Sequence, residues 1–198
     1  MKTGLVGFFS FLTVILNLAH ADTKQVMVPA VYYVDSKKSS IEFEAQGRPS
    51  FLKVHGKSVD SDKTPDVTGE MSIVNNKLSG EIRFLLTSLD TGIKLRNEHM
   101  FDYLEVKKNG YEHAHLKIES QPIDQLVVQG KGVLTVNAKL LLHGETRDLE
   151  LVINMADLSA TSSFPVILTQ HKIEIPVKMG ITIEDKIAVQ ANVQFLKK

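Results

Sequence analysis

Asp90, Thr91 and Gly92 form the short motif of aspartic proteases. Those enzymes use two carboxylates that share one proton across a symmetric site, so they carry a second copy of the motif or form dimers. In this chain Ile93 follows, where such enzymes usually have Ser or Ala, and the motif occurs once. The sequence therefore favours a structural role, in which Asp90 caps a following helix, over a hydrolase that uses Asp90.

Three histidines are the next candidates for chemistry. His113 and His115 have the spacing that places two imidazoles on one face of a strand, where a third ligand would complete a metal site. They share the polar face opposite Ala114 and Leu116, which favours solvent-facing side chains over metal ligands. His99 has no nucleophile or base that the sequence pairs with it, and we expect it to make a structural hydrogen bond. We therefore predict no catalytic residue, no metal site and no enzymatic cofactor.

Alternation of apolar and polar residues dominates the chain from Tyr32 onward. This period of two predicts antiparallel strands with one apolar and one polar face. The apolar sets are Ile41/Phe43/Ala45, Met71/Ile73, Ile82/Phe84/Leu86, Ala114/Leu116/Ile118, Leu134/Val136/Ala138/Leu140/Leu142, Leu149/Leu151/Ile153/Met155, Ile173/Ile175/Val177 and Ile187/Val189/Ala191/Val193/Phe195. The residues between them are largely charged or polar.

Turn residues separate these runs at Asn75-Asn76, Asn109-Gly110 and His143-Gly144. These are residue types that tight hairpins require. About eight strands joined by short turns make an all-β meander. Closing it into an antiparallel up-and-down barrel removes its exposed edges, and such a barrel has room for side chains or one slender ligand. A two-sheet sandwich is the alternative architecture.

The segment Thr91–Tyr103 departs from the alternation. Residues 93, 97, 100 and 104 recur at helical spacing, which predicts a short helix over one mouth of the barrel with Asp90 or Thr91 as N-cap. The polar residues that this helix would bring to the mouth are Arg96, Asn97 and Glu98. They would contact a polar headgroup or form a solvated helix face.

The first residues have the order of a secretory signal peptide. Lys2 precedes an apolar run from Leu5 to Leu18, and the small residues that follow predict cleavage after Ala21. The run is shorter than the roughly 20 residues that a transmembrane helix needs. We therefore expect residues 1–21 to be removed from an exported, periplasmic protein that does not span the membrane, with residues 22–198 as one domain.

Composition narrows the class of protein further. The 198 residues contain no cysteine, which excludes disulfide bonds and the acylated cysteine of a bacterial lipoprotein, so stability must come from burial. The 23 Lys and Arg residues balance 23 Asp and Glu residues, and this near-neutral mixture argues against nucleic-acid binding. Charges on the polar strand faces argue against an outer-membrane barrel. Whether two copies form a homodimer stays open.

Three segments, in order along the chain, resemble one family. Tyr33–Asp35 followed by Ser39–Phe43 resembles its opening strands, in which a Tyr-x-Asp turn precedes Ser-x-apolar-x-Phe. Ser88–Tyr103 resembles its signature of Asp-Thr-Gly, then Arg-Asp-x-His-Leu, then an aromatic-rich stretch. Leu140–Arg147 resembles its Leu-Thr-Leu-His-Gly-Val-Thr-Lys segment. On these residues the chain resembles the YceI-like family of secreted polyisoprenoid-binding proteins over about residues 30–195.

The resemblance implies a fold and a ligand class that composition and periodicity do not supply. It implies an extended lipocalin-like barrel whose long apolar channel carries an isoprenoid-type lipid or a quinone tail. The chain departs from the family pattern at Asn97, where Asp is usual, and at Met100, where Leu is usual. Lys107–Tyr111 replaces a shorter link, and Asp60–Pro65 lengthens an early loop. These differences leave the ligand headgroup open.

Inward apolar side chains are the candidates for lining such a channel, with Met100 and Phe101 closing the mouth. The predicted ligand-binding residues are Phe43, Ile73, Phe84, Met100, Phe101, Leu116, Leu134, Val136, Leu151, Ile153 and Val189. The same alternation would arise if these side chains met and filled the interior. A filled barrel that binds other envelope proteins, for instance in a stress response, therefore stays the alternative to a carrier of isoprenoid or other long-chain lipid.

Overall fold

The computed structural model describes residues 30–59, 66–108, 110–123, 131–178 and 180–197. The predicted signal peptide, the loop at 60–65 and Asn109 lie outside these ranges. The strands are β1 Ala30–Val34, β2 Ser40–Arg48, β3 Lys53–Ser58, β4 Val67–Val74, β5 Lys77–Leu85, β6 Leu89–Asp90, β7 His113–Pro122, β8 Lys131–Leu142, β9 Glu145–Ala156, β10 Ser159–Ile167, β11 Val177–Lys178 and β12 Ile181–Lys197. The helices are α1 Lys94–Tyr103 and the 3-10 turns Ser36–Lys38, Leu86–Ser88 and Leu168–His171.

Eight strands form a closed antiparallel barrel. Their order around the barrel is β1, β4, β5, β7, β8, β9, β10 and β12, and β12 pairs with β1 to complete the ring. At this junction Tyr32 lies opposite Lys197 and Val34 lies opposite Phe195. The prediction of an all-β antiparallel barrel with one short helix is confirmed.

Strand β12 joins the two ends of the molecule. Its 17 residues, at about 3.3 Å each, span roughly 56 Å. One edge of β12 pairs with β1 at residues 195–197 and with β2 at residues 182–192. Strands β3 and β6 continue outward from β2, so the sheet extends beyond the closed ring. The barrel is therefore elongated along β12.

Two predicted hairpin turns are confirmed. Asn75 and Asn76 have φ of 51° and 58°, and His143 and Gly144 have φ of 51° and 77°. Positive φ at both central residues is the geometry of a type I′ turn, whose twist matches that of the flanking strands. Gly144 also lies against Tyr111, where an added Cβ would come 2.7 Å from the phenol oxygen. A larger residue at this turn would displace the tyrosine.

Strand β10 has no counterpart among the predicted apolar sets. Its inward positions include Ser162, and Pro165 lies within the run, which sequence rules assign to a sheet edge. The fold accommodates Pro165 because β9 pairs only with residues 159–162 of β10, so the proline lies beyond that pairing. Strand β3 was also missed, because Lys53–Ser58 is mostly polar.

One predicted strand face was wrong. The set Ile173/Ile175/Val177 forms a strand only at Val177–Lys178. Lys172 has a left-handed backbone with φ of 55°, which turns the chain after the 3-10 helix, and Pro176 has no N–H for a sheet ladder. Ile173 is nevertheless buried, so its apolar character reflects the core rather than a strand.

The predicted helix is confirmed, but its predicted N-cap is wrong. Helix α1 begins at Lys94, and the N-cap residue Ile93 makes no side-chain hydrogen bond. Asp90 and Thr91 bond instead to Asn97: its Oδ1 accepts from Thr91 N at 2.9 Å and Thr91 Oγ1 at 2.6 Å. Its Nδ2 donates to Asp90 Oδ1 at 2.7 Å. A side chain of the helix thus fastens α1 to the end of β6.

The buried apolar side chains form two clusters, one toward each end of the barrel. The upper cluster, under α1, includes Val67, Leu140 and Ile173. The lower cluster includes Ile118 and Leu151. Within the described ranges, no helix combines the length and the apolar character needed to cross a membrane.

Candidate functional site

Two cavities lie inside the barrel, with volumes of about 460 Å³ under α1 and about 370 Å³ toward the other end. We call them the upper and the lower cavity. Both lie within the range of about 300–1,000 Å³ typical of small-molecule sites. Five residues line both cavities: Ile82, Leu116, Phe164, Ala191 and Val193. The cavities therefore adjoin at this ring, which we call the neck.

Alternation along β12 gives the cavities a common wall. Its odd-numbered residues from Ile187 to Val193 line the upper cavity, and those from Ala191 to Phe195 line the lower one. Because successive side chains of a strand point to opposite faces, one long strand lines both cavities. A ligand chain that passed the neck would stay against β12.

Polar side chains lining the upper cavity are confined to its mouth. The mouth consists of Thr91, Arg96, His99, Tyr103 and Lys178. Arg96, His99 and Tyr103 lie on one face of α1, because residues three and four apart on a helix are neighbours. No Asp or Glu lines this cavity within the described residues.

Tyr103 fixes the position of β11 relative to α1. Its hydroxyl accepts a hydrogen bond from Val177 N at 3.2 Å and donates to Val177 O at 3.3 Å. This double contact brings the adjacent Lys178 to the same mouth as the helix residues. The sequence carried no signal for this pairing, because the two segments are far apart in the chain and β11 is only two residues long.

Nine of the eleven predicted ligand-binding residues line a cavity. Phe43, Phe84, Met100 and Val189 line the upper cavity, Ile73, Leu134, Leu151 and Ile153 line the lower cavity, and Leu116 lies at the neck. Their contact with a ligand stays a prediction. Phe101 and Val136 line neither cavity.

The two exceptions have simple geometric reasons. Met100 and Phe101 are adjacent on α1, where successive side chains point about 100° apart, so only Met100 faces the cavity. Phe101 is half-buried against the upper cluster instead. Val136 is 1% exposed and lies opposite Leu151 in the lower cluster, near Ala138, which is also buried. On this part of β8 the interior is filled.

Several cavity residues were missed by the sequence reasoning. Ile181 and Ile183 line the upper cavity, but Asp185 breaks the alternation that would have linked them to Ile187. The register between β12 and β2 also shifts between Ile183 and Ile187. Asp185 instead accepts hydrogen bonds from Thr169 N and Oγ1. If the apolar and polar alternation had been continued across Asp185, it would have predicted that Ile181 and Ile183 face the cavity.

Asp90 is arranged as a turn residue. Its Oδ1 accepts hydrogen bonds from Asn97 Nδ2 at 2.7 Å and Gly92 N at 2.8 Å. The Asn97 amide first, and then the Gly92 N–H, lower the pKa of the Asp90 carboxyl below its usual value. These two hydrogen bonds hold Asp90 as an ionised carboxylate within its own turn, as expected of a structural residue.

The three histidines that the sequence offered for chemistry are His99, His113 and His115, and they lie in different surroundings. His115 Nδ1 lies 2.9 Å from Glu81 Oε1, on the face opposite the cavity-lining Leu116. His113 lies beside it, with ring centroids 6.2 Å apart. No group of three or more metal-ligating side chains occurs among the described residues. The His99 side chain makes no hydrogen bond within the described part of the chain, so the structural hydrogen bond expected of it is not found there.

Of the three polar residues predicted for the mouth, only Arg96 lines the cavity. Asn97 is bonded to Asp90 and Thr91. Glu98 lies on the outer face of α1, where its carboxylate is 4.0 Å from Lys94 Nζ.

Comparison with protein families identifies the chain. The family model of the YceI-like domain matches residues 32–195. The chain belongs to the YceI-like family. The match covers most of the sequence and spans the barrel from β1 to β12.

Solved structures share this YceI-like fold. A polyisoprenoid-binding domain from Saccharophagus degradans, implicated in plant cell wall breakdown, is 18% identical, with a TM-score of 0.61 over 84% of this chain and 98% of that domain. Burkholderia cenocepacia BcnA is 15% identical, with a TM-score of 0.61 over 81% of this chain and 98% of BcnA. A Campylobacter jejuni YceI protein is 13% identical, with a TM-score of 0.54 over 73% and 85%. None of the curated proteins matches.

Asn97 gives this YceI-like chain a specific contact where the family pattern usually has Asp. An Asp side chain could accept the hydrogen bonds from Thr91, but it could not donate to Asp90 when ionised. The amide of Asn97 does both. Asn97 therefore joins both residues of the β6 end to the helix that covers the cavity.

Proposed function

We propose that this protein is a non-enzymatic carrier that holds a long isoprenoid-type lipid, such as a quinone, in its barrel. The observation that carries the proposal is the pair of adjoining apolar cavities, with polar lining of the upper one confined to the mouth. An apolar chain with one polar end matches this distribution. The related domain from Saccharophagus degradans is named for polyisoprenoid binding, which supports the same ligand class.

The energetics of burial suit such a ligand. Each buried methylene contributes about 0.8 kcal/mol, so one isoprene unit of about five carbons contributes a few kcal/mol before ordering costs. A few units in the upper cavity would give micromolar binding or better, because about 8 kcal/mol corresponds to a Kd near 1 μM. Specific polar contacts are not needed for this affinity.

Two further parts of the proposal concern catalysis and location. Two hydroxyl groups at the mouth have structural partners: Thr91 donates to Asn97, and Tyr103 bonds to the Val177 backbone. This supports a binding role rather than a catalytic one. The signal-peptide pattern of residues 1–21 supports export to the periplasm. Transport, storage and sequestration of the lipid all fit these features.

Open interior space also favours a carrier over the alternative of a filled barrel. The packing of Val136 is what that alternative expects, but two cavities stay open inside the same barrel. Cavities of about 460 and 370 Å³ would be costly voids in a protein that bound its partners through its outer surface.

The test is displacement of a fluorescent apolar probe from the purified protein by geranylgeraniol. Wild type is expected to bind the prenol, whereas Ala114→Phe should weaken binding about tenfold or more by filling the upper cavity. Ala114 lines that cavity next to Phe84.

Ala188→Phe is the matched control, because Ala188 is exposed on the outer face of β12. It should bind like wild type. Equal binding by all three proteins, or no binding by wild type, would contradict the proposal.

A further inference from the structure

We propose that the mouth of the upper cavity recognises an anionic headgroup, a phosphate or carboxylate, on the lipid. This inference rests on the proposed lipid-binding function and specifies the end of the ligand that the apolar cavities do not determine. It is carried by three nitrogen-bearing side chains that meet at the mouth: Arg96, His99 and Lys178.

The positive charge at the mouth is not balanced by acidic side chains within the described residues. The side chains of Arg96, His99 and Lys178 make no ion pair or hydrogen bond within the described part of the chain. No acidic side chain among the described residues lines the upper cavity. Lys94 on the outer face of the same helix behaves differently, because it lies 4.0 Å from the carboxylate of Glu98. The mouth therefore has net positive charge although the whole chain is neutral.

Apolar surroundings strengthen the anion-binding capacity of Arg96. Arg96 is half-buried at the edge of an apolar cavity, where reduced solvent screening strengthens an ionic contact. A guanidinium presents a planar set of donors that fits the oxygens of phosphate or carboxylate, and Lys178 adds a mobile ammonium. His99 adds a ring N–H donor on the same helix face. A neutral quinone ring would leave both permanent charges without a counter-ion.

The charged residues that line the two cavities indicate the direction in which the ligand lies. Charged residues lining the lower cavity have both signs, namely Asp157 and Lys197. Positive charge without balancing acid thus occurs at the α1 end, so the headgroup lies beneath α1 and the chain runs through the neck.

Tyr103 acts as a positioning residue for this site. Its two hydrogen bonds to Val177 hold Lys178 beside the helix. Its hydroxyl acts on the headgroup through the position of Lys178. Tyr103→Phe should therefore weaken the preference for a charged headgroup without reducing the binding of an uncharged chain.

The experiment compares geranylgeranyl monophosphate with geranylgeraniol, which has the same chain, by calorimetry on the mature protein. Wild type should bind the phosphate about tenfold more tightly or better, since one charge-assisted hydrogen bond is worth that much. Arg96→Gln and Lys178→Gln should each remove most of this preference, and Arg96→Lys should retain part of it. Lys94→Gln is the matched control and should keep the full preference, because its side chain is 92% exposed on the outer face.

The possible results separate the two proposals. Equal affinity for the two ligands, or a preference that survives both glutamine substitutions, would overturn the anionic headgroup and leave the lipid carrier intact. Failure of both ligands to bind would overturn both proposals. Inorganic phosphate that bound as tightly as the prenyl phosphate would overturn a lipid as the source of the anion.

Discussion

His171 is a buried titratable side chain that ties three segments of the upper barrel together. It is 3% exposed, and its Nδ1–H donates to the carbonyls of Leu142 at 3.2 Å and Glu145 at 3.1 Å. His143 Nδ1 donates to the carbonyl of His171 at 3.0 Å. The 3-10 turn that ends at His171 is thereby fixed to the hairpin between β8 and β9.

Burial, more than any other factor, holds the pKa of His171 below its usual value of 6.5. The unfolded chain therefore binds a proton more readily than the folded protein. The contribution of His171 to stability is present above about pH 6.5 and is lost as the pH falls through the lower, folded pKa. We predict that the free energy of unfolding decreases between about pH 7.5 and about pH 5.5.

Urea unfolding at several pH values checks this prediction. In His171→Asn, the amide can replace the Nδ1 donor but does not titrate, so stability should depend less on pH over this range. His55→Asn is the control, because the His55 side chain is 59% exposed. It should keep the wild-type pH dependence. An unchanged dependence in His171→Asn would show that other groups cause it.

For single residues, the sequence predicted which side chains face the interior better than it predicted which residues they bond to. Alternation assigned most cavity-lining side chains to the inner face, because that assignment needs only local spacing. It could not predict that Asp90 bonds to the Asn97 side chain rather than capping the helix. That hydrogen bond depends on how closely β6 approaches α1. Lys178 was missed for the same reason, because Tyr103 brings it to the mouth through tertiary contacts.

At the scale of elements, the neck between the two cavities should determine the length of ligand that can enter. Ala191 is the smallest of the five neck residues and lies on β12 beside Ile41 and Ser162. Its small side chain leaves space where Leu116 and Phe164 approach the same passage. A larger residue here should close the passage to the lower cavity.

We therefore predict that Ala191→Leu weakens binding of solanesol, a long prenol, about tenfold or more but leaves the short prenol farnesol unaffected. The substitution should also cost about 1–3 kcal/mol of stability by overpacking a buried position. Competition with a fluorescent apolar probe measures both ligands.

Ala188→Leu on the outer face of the same strand is the control and should bind both prenols normally. Equal losses for farnesol and solanesol in Ala191→Leu would mean that the two cavities do not act in series.

Elements were predicted where their inward residues are large and apolar. β5, β8, β9 and β12 have such residues and were identified from their period of two. β10 was missed because Ala160, Ser162 and Pro165 weaken the pattern, although pairing with β12 along the whole strand stabilises it. Pairing with β12, which is distant in the sequence, thus determines strand β10, whereas the local strand preference of its residues does not.

For the whole molecule, the elongated barrel follows from one strand that pairs with two segments along one edge. β1 and β2 both pair with β12, and the closed ring and the β2–β3–β6 extension therefore share a wall. The upper cavity opens beneath α1 where this extension meets the ring, and the lower cavity lies within the ring. Sequence alternation predicted a barrel, but the division into two cavities depends on packing at the neck.

The most direct test of the central claim is organic extraction and mass spectrometry of the protein, expressed from its full sequence and purified without detergent. We expect an isoprenoid lipid in near-equal molar amount to the protein, and we expect it to be absent after denaturation and refolding. A clean extract, together with no uptake of quinones or polyprenyl lipids offered to the refolded protein, would contradict it.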